Sequence, residues 1–288
     1  MTRLLIAYDG SPSAKAAIAF ASALFPAAAA HVAHVHAPPP SPDTGALARI
    51  ALPDDMVREG IERMRADAQA AGNEAVEEGV ALATAAGLDA TPELRFAVTP
   101  WRELHALADA VDADVIVCGT HGANAVERVV VGSTASSLLH HADRPLLVVP
   151  GEAEAAGPIL AGYDGSDHAK AALEFAAGHL RGRSLLITHA WPVPMLVTAL
   201  VPVAPELPTS HVADEGVGLA ADAGLEASPV TADGTRGQWR ALLASAEEHD
   251  AAAILVGSRG RGALTSTVLG SVASGLVHAA ARPVLVVP

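Results

Sequence analysis

Short runs of consecutive apolar residues alternate along the chain with longer stretches of helical periodicity. Runs such as DVIVC and LLVV have no polar position between the apolar ones, which is typical of strands buried on both faces of a sheet. In the first half, the pattern predicts strands at 3–8, 31–36, 93–98, 114–118 and 145–149, and helices at 12–24, 53–86, 101–111 and 133–141. Because strands and helices alternate, we expect right-handed βαβ units and a parallel, doubly wound sheet.

The second half of the chain repeats the first. LIAYDGSPSAKAA at 5–17 returns as LAGYDGSDHAKAA at 160–172, and RPLLVVP at 144–150 returns as RPVLVVP at 282–288. The displacement is 155 positions for the first pair and 138 for the second, so the first copy is 17 residues longer. The repeat predicts strands at 158–163, 184–189, 226–231, 252–256 and 283–287, and a loop over the proline-broken stretch 191–208. The helix of this copy in ELPTSHVADEGVGLAADAG has the weakest pattern.

Length and repeat together indicate two domains. The chain has 288 residues, and a domain usually takes about 100 to 200. We expect a first domain at 1–150, a linker at 151–157 and a second domain at 158–288. Since 51% of the residues are hydrophobic, each domain can bury a core. The predicted fold is therefore α/β, with two doubly wound, five-stranded parallel-sheet domains.

The charge balance argues against polyanionic partners. The chain carries 18 basic and 32 acidic residues, a formal charge of −14, and neither half offers the basic face that a phosphate backbone or an anionic membrane attracts. Cys118 is the only cysteine, which excludes an internal disulfide and a metal centre made of cysteines; we expect it in the core. Neither a signal peptide nor a long enough apolar run is apparent, so we expect a soluble, cytoplasmic protein.

Glycine-rich loops follow the fourth strand of both copies. GTHGANAVERVVVGST and GSRGRGALTSTVLGSV share a glycine, two residues, a glycine, nine residues and Gly-Ser. Glycines allow main-chain N–H groups to converge on an anion, and the final Gly-Ser opens a helix whose first N–H groups favour phosphate. The alternative is that these glycines only make tight turns and close packing. The positions are Gly119, Gly122, Gly132 and Ser133 in the first copy and Gly257, Gly260, Gly270 and Ser271 in the second.

An aspartate ends the first strand of each copy, on the same edge of the sheet as the glycine loops. Asp9 and Asp164 each stand in the sequence YDGS. A carboxylate there is suited to accept hydrogen bonds from ribose hydroxyls, but an aspartate before a helix can equally serve as its N-cap. Taken with the glycine loops, the ligand role is favoured.

Several catalytic motifs are missing from the sequence. It has no Walker-type Gly-x-x-x-x-Gly-Lys-Ser/Thr loop, no dinucleotide fingerprint after the first strand and no Gly-x-Ser-x-Gly elbow. We therefore assign no catalytic residue and expect binding rather than turnover. Two rivals stay open: a slow ATPase or self-phosphorylating enzyme that uses Ser133 or Ser271, and a ligand-free interaction scaffold.

The histidines of the second strand invite a metal interpretation. In HVAHVH, His34 and His36 share one face of the strand and His31 lies on the other, so the three do not converge. No carboxylate spacing motif accompanies them, and the sequence favours a structural role for His34 and for its equivalent, His189.

The combination of strand-Asp-Gly-Ser, the Gly-2-Gly-9-Gly-Ser loop and the closing RPVLVV strand resembles the universal stress protein family in its tandem, nucleotide-binding form. The resemblance implies ATP at two sites, with Mg²⁺ on the phosphates, and a role as a nucleotide-dependent sensor that acts on an unidentified protein partner or an oligomer. It also implies that the closing strands, 145–149 and 283–287, pair antiparallel between the domains.

The same resemblance assigns roles to individual residues. Asp9 and Asp164 would contact the ribose, while the backbones of Val35 and Ala190, directly after the strand-two histidines, would meet adenine. The glycines at the end of the fourth strand would lie by the ribose and α-phosphate, and the remaining loop positions would hold the phosphate chain. Arg259 and Arg261 lie in the second loop, whereas the first loop offers His121 there and Arg128 later. We therefore expect tighter triphosphate binding in the second site.

Overall fold

The computed structural model describes residues 1–38, 54–120, 131–141, 143–191, 211–260 and 269–288, and all elements named below lie within these ranges. The first half forms β1 (Arg3–Ala7), α1 (Pro12–Leu24), β2 (Ala29–His36), α2 (Asp54–Ala85), β3 (Asp89–Phe96), α3 (Pro100–Ala110), β4 (Val115–Gly119), α4 (Ser133–His141) and β5 (Leu146–Val149). The second half forms β6 (Ile159–Gly162), α5 (Asp167–His179), β7 (Leu185–Trp191), α6 (His211–Asp222), β8 (Ala227–Asp233), α7 (Gln238–Glu248), β9 (Ala253–Gly257), α8 (Ser271–Ala279) and β10 (Val284–Val287).

The order of elements is the predicted one, and the differences lie at the ends. The third strand begins at Asp89 rather than at 93, because β3 pairs with β2 along the whole length of both strands while its first residues face water. The weakly patterned second helix of the second copy is present as α6. Trp191, placed in a loop by the sequence, is the last residue of β7, and the rest of the predicted loop lies outside the described residues.

One ten-stranded sheet runs through both halves, in the order β3-β2-β1-β4-β5-β10-β9-β6-β7-β8. Neighbouring strands are parallel within each half, and the halves meet where β5 pairs antiparallel with β10, with Leu147 opposite Leu285. The predicted parallel, doubly wound fold and the predicted pairing of the closing strands are confirmed. Because this junction reverses direction, the carboxyl ends of the strands in the two halves point to opposite edges of the sheet.

Helices cover both faces of the sheet, which explains the unbroken apolar runs. In β1, Leu4 and Ile6 belong to one core cluster and Leu5 to the other, and all three are fully buried. Both clusters contain residues of both halves. Cys118 lies buried in β4, as predicted, and burial raises the pKa of its thiol to about 12. No helix in the described ranges has both the length and the apolar content needed to cross a membrane.

The two edge strands each contain a proline at an equivalent position. Pro92 of β3 lies opposite Val32, and Pro229 of β8 lies opposite Ile187. Proline has no N–H to donate, so it interrupts the row of donors that an edge strand would offer to another chain. Both ends of the long sheet are thereby protected against strand addition.

Candidate functional site

A pocket opens in the second half at the carboxyl ends of β6, β7 and β9. Its volume is about 690 Å³. It lies where the strand order reverses, since β7 and β9 flank β6 on opposite sides, and ligands of open α/β sheets bind at such reversals. The pocket is lined by all six positions that the sequence predicts as ligand contacts in this half: Asp164, Ala190, Gly257, Gly260, Gly270 and Ser271.

The Asp164 carboxylate and the glycine loop meet in this pocket. A Cβ atom added to Gly260 would lie 2.6 Å from Asp164 Oδ2, so a side chain at this position would collide with the carboxylate. The loop therefore approaches Asp164 closely because residue 260 is glycine. Asp164 and the loop backbone thus face the same space.

Each aspartate is held in place by a turn of its own. Asp9 Oδ1 accepts a hydrogen bond from the backbone N–H of Ser11 at 3.1 Å, and Asp164 Oδ1 accepts one from Ser166 at 3.0 Å. The two serines, rather than the aspartates, are the N-caps of α1 and α5, because their side chains accept the N–H of the residue three positions on. The N-cap interpretation of the aspartates is therefore wrong, and both carboxylates are oriented at the strand ends.

The glycines that end β4 and β9 are required by packing. A Cβ on Gly119 would lie 2.5–2.9 Å from atoms of Ser13, and one on Gly257 would lie 2.6–2.7 Å from atoms of His168. Ser13 and His168 are equivalent residues in the first turns of α1 and α5. The close strand–helix packing that the sequence left open as an alternative accounts for these two glycines, with or without a ligand.

The glycines before the last helix of each half close the loop. The N–H of Gly132 donates to the carbonyl oxygen of Thr120 at 2.6 Å, and that of Gly270 donates to Ser258 at 2.8 Å. These two N–H groups are therefore already used within the protein. In α8, the donors available to an anion are those of Ser271 and the next two residues, which have no acceptor inside the helix.

Part of the pocket lining is apolar. Leu242, Leu269 and Val272 contribute to it together with Ala190, the penultimate residue of β7, and such a lining suits a flat apolar ring. Ser258 also lines the pocket, and its Oγ is buried and makes no hydrogen bond within the described part of the chain. Sequence reasoning missed Ser258, although it lies inside the glycine motif, and it missed the residues of α7 because only the fold brings them here.

The first-half positions occupy the equivalent edge of the sheet. Asp9 follows β1, Gly119 ends the adjacent parallel strand β4, and Val35 is the penultimate residue of β2, half-buried against the core. Ser133 begins α4, and Gly132 directly precedes it. Four loop positions considered from the sequence lie outside the described residues: His121, Gly122, Arg128 and Arg261.

A buried tyrosine precedes each aspartate and is tied to a neighbouring helix. Tyr8 Oη donates to Glu78 Oε2 at 2.8 Å, and Lys15 Nζ lies 2.6 Å from Glu78 Oε1. The hydrogen bond from Lys15, followed by that from Tyr8, holds the pKa of Glu78 below its ordinary value. Burial, aided by Glu78, raises the pKa of Tyr8. The end of β1 that carries Asp9 is thus attached to α2 through the hydrogen bond between Tyr8 and Glu78.

The second half repeats this arrangement. Tyr163 Oη donates to Glu215 at 2.9 Å, and Lys170 Nζ lies 3.6 Å from the same carboxylate. The only two lysines of the chain therefore occupy equivalent places. That equivalence is visible in the sequence, but sequence reasoning did not infer the ion pairs from it.

Fold and site together define a tandem α/β protein in which each half carries a glycine loop and a strand-end carboxylate at a carboxyl edge of the sheet. The model of the universal stress protein family matches residues 1–150 and again 156–288, so the chain belongs to this family.

Relatives agree with this assignment. A universal stress protein of Mycolicibacterium smegmatis is 35% identical over 186 residues, a match that spans 61% of this chain and 62% of that protein. One from Mycobacterium tuberculosis is 26% identical over 296 residues, covering 98% of this chain and 95% of the relative. The crystal structure of a universal stress protein from Archaeoglobus fulgidus covers 99% of this chain and 97% of its own, with a TM-score of 0.65 and 21% identity, and it supports the fold.

Proposed function

We propose that the chain binds ATP at one pocket in each half, and that binding reports the adenylate level to a protein partner or to another copy of the chain. The observation that carries this proposal is the second-half pocket, where a strand-end carboxylate, a helix N-terminus and apolar side chains line one space. Its volume of about 690 Å³ falls within the usual range of small-molecule sites.

Each part of the pocket suits one part of the nucleotide. Asp164, fixed by its hydrogen bond from Ser166, would accept hydrogen bonds from the ribose hydroxyls. Adenine would pack on the apolar part of the lining, to which Ala190 belongs. The phosphate chain would lie against the first N–H groups and the Ser271 hydroxyl of α8, with Arg259 adding positive charge.

The first half would hold its nucleotide in the same way. Asp9 would contact the ribose, the backbone of Val35 would meet adenine, and Ser133 with the N-terminus of α4 would face the phosphates. Gly119 and Gly132 would shape this pocket, as Gly257 and Gly270 shape the second one. Gly122 would complete the phosphate loop.

The donor set fits a magnesium ion that arrives with the nucleotide. Among the described residues that line the second pocket, Asp164 is the one carboxylate. Mg²⁺ is commonly bound by one or two carboxylates together with substrate phosphates and waters, and a dedicated protein cage is unusual for it. When bound, the ion would neutralise phosphate charge, while Asp164 and Ser271 would orient the nucleotide.

A sensor role needs only differential affinity. ATP shifts an equilibrium between two conformations to the extent that it binds one of them better. The loop that closes on Ser258 through Gly270 also reaches α5, where Ser166 Oγ donates to the carbonyl oxygen of Arg259 at 3.4 Å. A ligand held by this loop would therefore act on both α8 and α5.

Calorimetric titration of the full chain with MgATP tests the proposal. We expect two ATP per wild-type chain and one per chain for each of two single variants, Asp9→Asn and Asp164→Asn. Glu174→Gln, an exposed substitution on α5, serves as a control and should retain two sites. Absence of any binding at millimolar MgATP would overturn the proposal and favour the scaffold interpretation.

Incubation with radiolabelled ATP separates binding from chemistry. We expect the nucleotide to be recovered intact after overnight incubation, with no label on the protein. Release of phosphate, or label that disappears in Ser133→Ala or Ser271→Ala, would instead support the enzymatic alternatives.

A further inference from the structure

Two imidazoles face each other at the carboxyl end of β2. His34 Nε2 lies 3.5 Å from His36 Nδ1, and the ring centroids are 5.7 Å apart with planes inclined by 38°. The residues are two apart in a strand, so both side chains lie on the same face of the sheet. Both are half-buried. No step of the proposed nucleotide binding uses this pair.

The hydrogen bond made by His34 Nδ1 determines whether Nε2 carries a proton or a lone pair. His34 Nδ1 lies 2.9 Å from the carbonyl oxygen of Tyr8. Since a carbonyl oxygen only accepts, Nδ1 carries the proton, and in the neutral ring Nε2 presents its lone pair toward His36. Metal-binding histidines are typically anchored in this way, with the second ring nitrogen donating to a backbone carbonyl or a carboxylate.

The anchor is itself rigid. The N–H of Tyr8 donates to the carbonyl oxygen of Ala33 at 2.8 Å, and its hydroxyl donates to Glu78 at 2.8 Å. The ring of His36 packs edge-on against Phe96, with centroids 5.9 Å apart and planes at 74°. Both imidazoles are thus oriented by contacts that leave the facing nitrogens accessible to each other.

The distance between His34 Nε2 and His36 Nδ1 fits two nitrogens bound to one metal ion better than it fits a direct hydrogen bond. Strong protein hydrogen bonds from nitrogen donors span about 2.7–3.2 Å, and 3.5 Å lies beyond that range. Two imidazole nitrogens at about 2.0–2.1 Å from one tetrahedral ion are roughly 3.3–3.4 Å apart. A displacement of a few tenths of an ångström would therefore bring both nitrogens into contact with one ion.

We propose that His34 Nε2 and His36 Nδ1 chelate a divalent transition-metal ion of the zinc class, with water or another small ligand in the remaining positions. Imidazole is a preferred ligand of such ions, whereas Mg²⁺ prefers oxygen. The equivalent positions in the second half are His189 and Trp191, so the repeat supplies one such pair per chain. This metal site adds a role to the structural one that the sequence favoured for His34.

Another cluster of potential metal ligands lies elsewhere in the first half. Side-chain atoms of His105, Asp109 and Asp143 lie within 4.8 Å of one another. Both carboxylates, however, form ion pairs with Arg144, which an incoming cation would have to displace. We place no site there.

Metal titration of the chelator-treated full chain, without nucleotide, tests the proposal independently of ATP binding. Zinc is titrated by calorimetry, and Co²⁺ is used as a probe whose visible absorption reports nitrogen coordination. We expect one Zn²⁺ per chain at micromolar protein and a loss of affinity of at least about tenfold in His36→Gln.

The controls separate this pair from the other histidines. His31→Gln removes a histidine from the opposite face of β2, and Asp143→Asn removes a carboxylate of the other cluster; both should bind Zn²⁺ as the wild type does. His36→Phe keeps a ring against Phe96 without a ligand nitrogen, so it should fold normally by circular dichroism and lose the Co²⁺ absorption. Unchanged binding in both His36 variants, loss in either control, or no zinc binding at all would overturn the proposal.

Discussion

Gly260 lies so close to Asp164 that a single added carbon would be 2.6 Å from the carboxylate oxygen Oδ2. This contact joins the loop after the fourth strand of the second half to the end of its first strand. It makes the orientation of Asp164 depend on a residue almost a hundred positions away in the sequence.

Gly260→Ala should weaken ATP binding at the second site by about tenfold, or ~1.4 kcal/mol, because the methyl group must push the Asp164 carboxylate or the loop aside. Calorimetric titration in the Asp9→Asn background measures the second site alone. Gly218→Ala is the matched control, since a Cβ there meets no atom within 4 Å. Equal affinity in the two variants would contradict the proposed role of Asp164.

Gly216→Ala should destabilise the fold by about 1–3 kcal/mol. A Cβ at this position on α6 would lie 2.7 Å from Ile187 Cγ2 and 2.9 Å from the ring of Tyr163. Gly218→Ala, on the same helix, should be neutral or stabilising by up to about 1 kcal/mol, because alanine is the better helix former. Urea unfolding followed by circular dichroism compares the two, and similar midpoints would show that α6 does not pack as described.

The second site should bind ATP more tightly than the first. Arg259 lines the second pocket, and one additional cation near the phosphates can contribute up to about 1 kcal/mol, or about fivefold in affinity. Titration of Gly132→Ala reports the intact second site and titration of Gly270→Ala the intact first site. Arg259→Ala should abolish the difference, whereas equal or reversed affinities in the two glycine variants would contradict it.

Acid should destabilise the wild type partly through Glu78. Hydrogen bonds from Lys15 and Tyr8 keep the folded-state pKa of Glu78 below its ordinary value of 4.5. The resulting stabilisation is present above that value and is lost as the pH falls through the folded-state pKa. Glu78→Gln should therefore have a lower Tm at neutral pH and a smaller loss of Tm on acidification. Glu77→Gln, the exposed neighbour, should follow the wild type.

The succession of strands and helices along the chain was predictable from the sequence because strands buried on both faces leave unbroken apolar runs, as in β4. The same logic failed at the start of β3, where Asp89 and Ala90 pair through the backbone while the edge strand faces water. Burial leaves a signal in composition, but backbone pairing at an edge does not. The limits of apolar runs therefore understate strand length at the two edges of the sheet.

The candidate site was also only partly predictable from the sequence. Spacing located the glycine loops, but it could not distinguish Gly257, which packing against α5 requires, from Gly260, which makes room beside Asp164. The distance between His34 Nε2 and His36 Nδ1 was also beyond sequence reasoning. The alternation of side chains along a strand placed the two rings on one face. Which nitrogen of His34 faces His36 depends on the hydrogen bond between His34 Nδ1 and the carbonyl oxygen of Tyr8.

The antiparallel seam between β5 and β10 has a consequence for how the chain can be recognised. Because of this pairing, the carboxyl ends of the strands in the two halves lie at opposite edges of the sheet. A partner that contacts one of these edges therefore faces away from the other. The two proposed sites would therefore be read separately from outside, and coupling between them would pass through the core that the two halves share. The internal repeat has thus placed two copies of one candidate site at opposite edges of a single sheet.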